Sequence, residues 1–155
     1  MSDKLKVNIY VALPIILDKV KMVALSRFIG KTDAWTLNKL RHAVVKGVPQ
    51  EFYETDLPLV NNALQQLGDA IAGCVITYVP ERDKVIASVR AAEAYVSMPY
   101  IYLDVLKQKR LWFANRMRKR KPGGKVSSFK EEDIQKINMG VMQIANELCG
   151  IELTL

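Results

Sequence analysis

The sequence predicts a mainly α-helical fold of two tandem helix-turn-helix-like bundles, residues 1–78 and 79–155, with a small β-sheet beside them. Three observations carry that expectation. The chain repeats itself at a fixed offset, each copy has one long apolar stripe at helical spacing, and a short alternating run follows each stripe.

The repeat comes first. Displacing the chain by 77 positions lays Trp35–Tyr78 on Trp112–Leu155 without a gap. Eleven pairs over these positions are identical. They include Trp35/Trp112, Asn38/Asn115, Arg41/Arg118, Gly47/Gly124, Phe52/Phe129, Asp56/Asp133, Asn61/Asn138 and Gly73/Gly150. Lys39/Arg116, Leu57/Ile134 and Leu67/Ile144 keep their character. Two unrelated amphipathic helices would share apolar positions. They would not share Trp, Asn, Phe and two Gly at one offset.

The elements follow from the periodicities. Leu57, Val60, Leu64, Leu67 and Ile71 recur at three and four, as do Ile134, Ile137, Val141, Ile144 and Leu148, so each set is one face of a helix of about four turns. Ser128-Phe129-Lys130-Glu131 reads as a capping box with Ser128 as N-cap. Pro58 fits only a first turn, which starts the earlier helix near Thr55. Gly73 and Gly150 are expected to close the helices as C′ residues. The runs 5–11, 74–79 and 151–155 alternate and are read as strands of one small sheet, although Val7–Ile9 could equally open a helix. Leu25–Gly30 ends a helix, Lys31-Thr32-Asp33 turns, and Ala34–His42 forms the next helix. The later copy reads as Tyr102–Leu106, a turn at 107–110, then a helix at 111–121, with Lys107 where the earlier turn has Gly30.

Half of the residues are hydrophobic and a quarter charged, a globular composition. With two cysteines, no CxxC and the single His42, a four-ligand zinc site would need carboxylates, and a nucleophilic triad would have to use His42 beside Arg41. Cys74 and Cys149 are expected to be buried, reduced thiols. Asn8 and Pro14 interrupt the apolar run at the N-terminus, so no signal peptide is expected, and no run reaches the roughly 20 apolar residues of a membrane span. Gly123-Gly124 after Pro122 is a turn rather than a phosphate loop. No enzyme, cofactor, metal, membrane or small-molecule substrate is expected.

The string Leu25-Ser26-x-x-Ile29-Gly30-Lys31-Thr32, then Leu37-x-x-Leu40, resembles the helix-turn-helix of phage repressor-type proteins with one extra turn residue. The longer string from Phe28 through Trp35, Asn38, Lys39 and Leu40 to Val45-Lys46-Gly47-x-Pro49-x-x-Phe52 is similar to a small domain of Bacteroides phage and prophage proteins. It covers roughly residues 22–72 and, more weakly, 99–149. The second copy lacks the Ile-Gly-Lys and Gly-x-Pro elements. The resemblance implies a phage or mobile-element lineage and little about activity.

The net charge of +7 favours polyanionic partners. It is unevenly placed: residues 1–77 carry 9 bases and 7 acids, residues 78–155 carry 14 and 9. The candidate nucleic-acid-binding residues concentrate in the later copy, at Lys107, Lys109, Arg110, Asn115, Arg116, Arg118, Lys119, Arg120, Lys121 and Lys125, with no acid between them. The earlier copy offers Lys31, Asn38, Lys39, Arg41 and Lys46, but also Asp33. Arg and Asn are the side chains that read base edges bidentately. Trp35 and Trp112 read as packing residues, with base stacking the alternative. The Tyr95, Tyr100 and Tyr102 group reads as a kink between helices, or else a partner surface. The expected function is DNA binding through the paired units, as a regulator in a bacterial host cell. The alternative is a structural or interaction protein, a virion component or a host-defence inhibitor, alone or as a homo-oligomer, with the same fold as scaffold.

Overall fold

The computed structural model describes residues 3–119, 124 and 126–155. It is mainly helical, with two small two-stranded sheets among the described residues. Strand β1, Leu5–Asn8, leads directly into helix α1, Ile9–Lys19. Asn8 ends the strand because its side-chain oxygen accepts the Tyr10 N–H at 2.9 Å, an N-cap bond. The extended run expected over 5–11 therefore stops at residue 8. Helix α2, Met22–Ile29, and helix α3, Asp33–Leu40, follow across a three-residue connection.

Next comes a hairpin that periodicity did not disclose: β2, Val44–Val45, and β3, Val48–Pro49, joined by Lys46 at φ 50° and Gly47 at φ 79°. Two positive φ values in a two-residue loop match the right-handed twist of the strands it joins. A 3-10 turn, Glu54–Asp56, leads into helix α4, Leu57–Ala72, with Pro58 in its first turn as expected. The later half runs through helix α5, Arg82–Glu93, a π-helical turn, Tyr100–Val105, helix α6, Arg110–Met117, helix α7, Glu131–Gly150, and strand β4, Ile151–Thr154.

Three expectations about ends need correction. Helix α7 is capped at Lys130, whose N–H donates to Asp133 Oδ2 at 2.8 Å, so the box sits two residues beyond Ser128. Tyr53 N–H and Asp56 repeat it at the offset of 77, also at 2.8 Å. Gly73 caps α4 at φ −74°, not in the left-handed region, and α7 continues through Gly150 into β4 without a C′ turn. Helix α6 ends at Met117, short of residue 121, because Arg118 is extended.

The apolar stripes of α4 and α7 meet each other. Val60, Leu64, Leu67, Ile71, Ile134, Ile137, Val141, Ile144 and Leu148 are all buried in a single core that also takes in α1, α2, α5 and β4. The helices approach closely at Gly68, where an added Cβ would lie 2.5 Å from Cys149 Sγ and 3.1 Å from the Ala145 carbonyl. Helix α2 packs on α4, and the π-helical turn packs on α7.

The contacts across this seam are reciprocal. Asn61 Oδ1 accepts the Leu153 N–H at 2.7 Å and Asn61 Nδ2 donates to the Leu153 carbonyl at 3.2 Å. Asn138 Oδ1 accepts the Ile76 N–H, and Asn138 Nδ2 donates to the Ile76 carbonyl, both at 2.8 Å. Asn138 is Asn61 plus 77, and Leu153 is Ile76 plus 77. Near residue 20 the chain crosses itself again. Val20 bridges Val96 antiparallel, the Ser97 N–H donates to the Lys19 carbonyl at 2.8 Å, and the Lys21 N–H donates to the Tyr95 carbonyl at 2.9 Å.

The expected three-run sheet forms only in part. β1 pairs with β4 in parallel, Leu5 opposite Ile151 and Asn8 opposite Thr154. Residues 74–79 join no strand. No described helix is long and apolar enough to cross a membrane.

Candidate nucleic-acid interface

Helix α2 ends at Gly30, at φ 84°, whose N–H donates to the Ser26 carbonyl at 2.9 Å. The left-handed residue lets the chain reverse without a Cβ clash. Thr32 then caps α3, its hydroxyl accepting the Trp35 N–H at 3.2 Å. The two helices touch through buried Ser26 and Thr36, hydroxyl oxygens 3.4 Å apart. The later half reaches the same place differently. Lys107 stands at φ 56° where Gly30 stands in the earlier half, so the left-handed turn persists without glycine. Helix α6 has the bounds of α3 displaced by 77.

Each of these helices carries an aromatic box. Trp35 meets Phe52 edge-on at 6.0 Å between ring centroids, and Trp112 meets Phe129 edge-on at the same distance. The cation one turn on lies over each indole: Lys39 Nζ is 5.0 Å from the Trp35 centroid, and Arg116 Cζ is 3.7 Å from that of Trp112. The tryptophans are half-buried packing residues.

That geometry removes Lys39 from the set of free cations. It is 5% exposed, 3.1 Å from Asp56 Oδ2, and donates to the Glu51 carbonyl at 2.9 Å. A buried ammonium so committed has nothing left for a phosphate. Arg116 is half-buried, stacked on Trp112, and donates through Nη1 to the Trp112 carbonyl at 3.0 Å. Asn38 and Asn115 are half-buried.

Lys31, Arg41 and Lys46 are exposed, Lys46 at the hairpin tip. Lys107, Lys109, Arg110, Arg118 and Lys119 are exposed, and none of them is within salt-bridge distance of a carboxylate among the described residues. Arg120, Lys121 and Lys125 lie outside the described residues, as do Pro122 and Gly123.

The outward faces of α3 and α6 differ in sign at one telling place. On α6, Arg110, Leu111 and Ala114 are exposed along one side, and Arg118 is exposed just past its end. The matching stripe of α3 starts with Asp33, a carboxylate where α6 has Arg110. Asp33 stabilises the start of α3 through the helix dipole and would repel a phosphate. The first-turn amides of α6 have no side-chain cap and are flanked by Lys109 and Arg110.

Two arginines with no signal in the repeat hold α6 in place. Arg82 Nη2 donates to the carbonyls of Arg116 at 3.1 Å and Arg118 at 2.6 Å, and Arg82 Nε donates to that of Ser127 at 3.0 Å. Arg90 Nη2 donates to the Met117 carbonyl at 3.3 Å. These guanidiniums satisfy the unpaired carbonyls at a helix C-terminus, where positive charge is favourable. Their partners lie on α6 and the residues after it, so spacing along the chain could not reveal them.

Both thiols are half-buried and unpaired with each other. Burial pushes the Cys74 thiol above its ordinary value. Burial, then the Asp69 carboxylate beside it, does the same for Cys149, against the opposing pull of Lys4 and Gln65. A thiol so held is a poor nucleophile.

Comparison of the chain with protein-family models, curated proteins and solved structures gives no match.

Proposed function

We propose that the chain is a duplicated helix-turn-helix-like unit of phage or mobile-element lineage that binds DNA, with α6 and its flanks as the principal contact. One observation carries this reading: the five exposed cations Lys107, Lys109, Arg110, Arg118 and Lys119, none paired with a carboxylate among the described residues, gathered on one short helix and its two ends. Unpaired surface cations in one place release counterions when they meet phosphates. The earlier unit, with Asp33 at the head of α3 and Lys39 buried, is the weaker binder and chiefly supports the fold.

Fluorescence anisotropy with a labelled DNA duplex at several salt concentrations tests the proposal. Each phosphate contact contributes a log-log slope of about −0.9. Arg110→Ala with Arg118→Ala should weaken binding and flatten the slope by about 2. Absence of binding at low salt, or an unchanged slope in the double variant, refutes it. A second reading is favoured by Leu111, 65% exposed between Arg110 and Ala114 on the same stripe. An acidic protein partner would cover it, in keeping with a virion or host-defence role. That reading predicts a defined protein complex and no DNA binding.

A further inference from the structure

Strand β4 and residues 74–77 correspond at the offset of 77, and each is gripped on one edge by an asparagine from the other half's long helix. Asn61 holds both main-chain groups of Leu153, and Asn138 holds both of Ile76. In an extended chain the N–H and C=O of one residue face one edge, and those of its neighbours face the other. On β4 that second edge is filled by β1, in parallel, with Lys6 opposite Glu152 and Asn8 opposite Thr154. On 74–77 no described residue fills it. Val75 and Thr77 are exposed, and their N–H and C=O groups make no hydrogen bond to any described residue.

The counterpart of β1 cannot fill this place. The residues corresponding to β1 are 82–85, which form the first turn of α5. Only residues 78–81 separate them from 74–77, and a parallel pair needs a crossover of a dozen or more residues. Covalent joining of the two units thus leaves one of two equivalent strand positions without its counterpart of β1.

We propose that the edge at 74–77 docks an extended segment of a partner protein, added as a parallel strand. The filled edge shows the chemistry that fits. In Leu5-Lys6-Val7-Asn8 the polar residues alternate with apolar ones, and half-buried Val7, opposite Leu153, packs on the core. The partner segment carries the same alternation, with an apolar β-branched residue opposite Ile76. Its main chain meets the free groups of Val75 and Thr77, so backbone pairing gives affinity and alternate side chains give specificity. This inference does not depend on DNA binding.

The probe is a capped peptide of residues 3–9 titrated to millimolar concentration into the isotopically labelled intact chain. The expected result is shifted, more slowly exchanging amides at Val75 and Thr77, with Glu152 and Thr154 unchanged. Thr77→Pro deletes one unbonded N–H and should weaken the peptide about fivefold, the loss of one hydrogen bond, with the thermal midpoint unchanged. Val75→Pro repeats the measurement at the other free N–H. Three results overturn the proposal: no perturbation at millimolar peptide, perturbation at Glu152 and Thr154 through displacement of β1, or concentration-dependent protection of Val75 and Thr77 without peptide, which would give the edge to a second copy of the chain.

Discussion

Replacing Asn138 tests whether the reciprocal amide grips hold the two halves together. Asn138→Ala removes two hydrogen bonds to the main chain of Ile76, both 2.8 Å. A typical bond contributes about 1 kcal/mol net, and the half-buried groups left behind add desolvation cost, so the loss should be about 2–3 kcal/mol. For a chain of this length that lowers the thermal midpoint by about 4–12 °C. Asn61→Ala should cost as much, through Leu153. Asn138→Asp is more diagnostic. At neutral pH the introduced carboxylate still accepts the Ile76 N–H but turns a second acceptor toward the Ile76 carbonyl. Its protonated form can donate there instead, so its folded pKa rises above the ordinary carboxyl value of about 3.9. A raised folded pKa gives stability that is fully present below the unfolded value and lost as pH rises through the folded one. The deficit of Asn138→Asp should therefore shrink between pH 7 and pH 3.5, while that of Asn138→Ala should not. Urea unfolding followed by circular dichroism reads both. Losses below about 0.5 kcal/mol, or the same pH response in both variants, refute the reasoning.

Lys107→Gly should stabilise the chain by about 0.5–1 kcal/mol, because a non-glycine residue at φ 56° is strained and the gain exceeds the added freedom of the unfolded chain; a lowered urea midpoint would contradict it. Lys39→Met keeps the apolar stem beneath Trp35 but strands Asp56, and should cost about 3 kcal/mol in urea unfolding while the folded protein keeps its DNA affinity. Alkylation of Cys74 and Cys149 at pH 8 should be slower in the native chain than in urea, since both thiols are held above the ordinary value of 9.0. Raised thiol values also give stability that is present at neutral pH and lost as pH climbs through the folded pKa, so the urea midpoint should fall above about pH 9.

Much of the helical fold was legible because its signals are local or repeated. The stripes Leu57–Ile71 and Ile134–Leu148 became α4 and α7, and Leu25–Gly30 ended α2 at its left-handed glycine. What escaped reading depends on distant partners. Residues 74–79 have the alternation of a strand, but a strand needs a neighbour, and Asn138 occupies one edge while nothing described occupies the other. Lys39 looked like a free base because its cage of Trp35, Tyr53 and Asp56 assembles only when the chain folds back. Arg82 and Arg90 went unnoticed because their carbonyl partners belong to α6 and the residues after it. The turn at Lys107 showed the reverse case: with α6 packed in place, backbone geometry outlasted the loss of the glycine that favours it.

The β1–β4 ladder joins residue 5 to residue 151, and the Asn61 grip waits on residue 153. Such far-reaching pairings carry a large loop-closure penalty that must be met before they return anything. A nascent chain that has emerged only as far as α4 has neither, so it leaves the part of that helix that packs on α7 uncovered until α7 is synthesised. Folding should accordingly be a late, whole-chain event, with a vulnerable half-made species that chaperones or proteases can intercept.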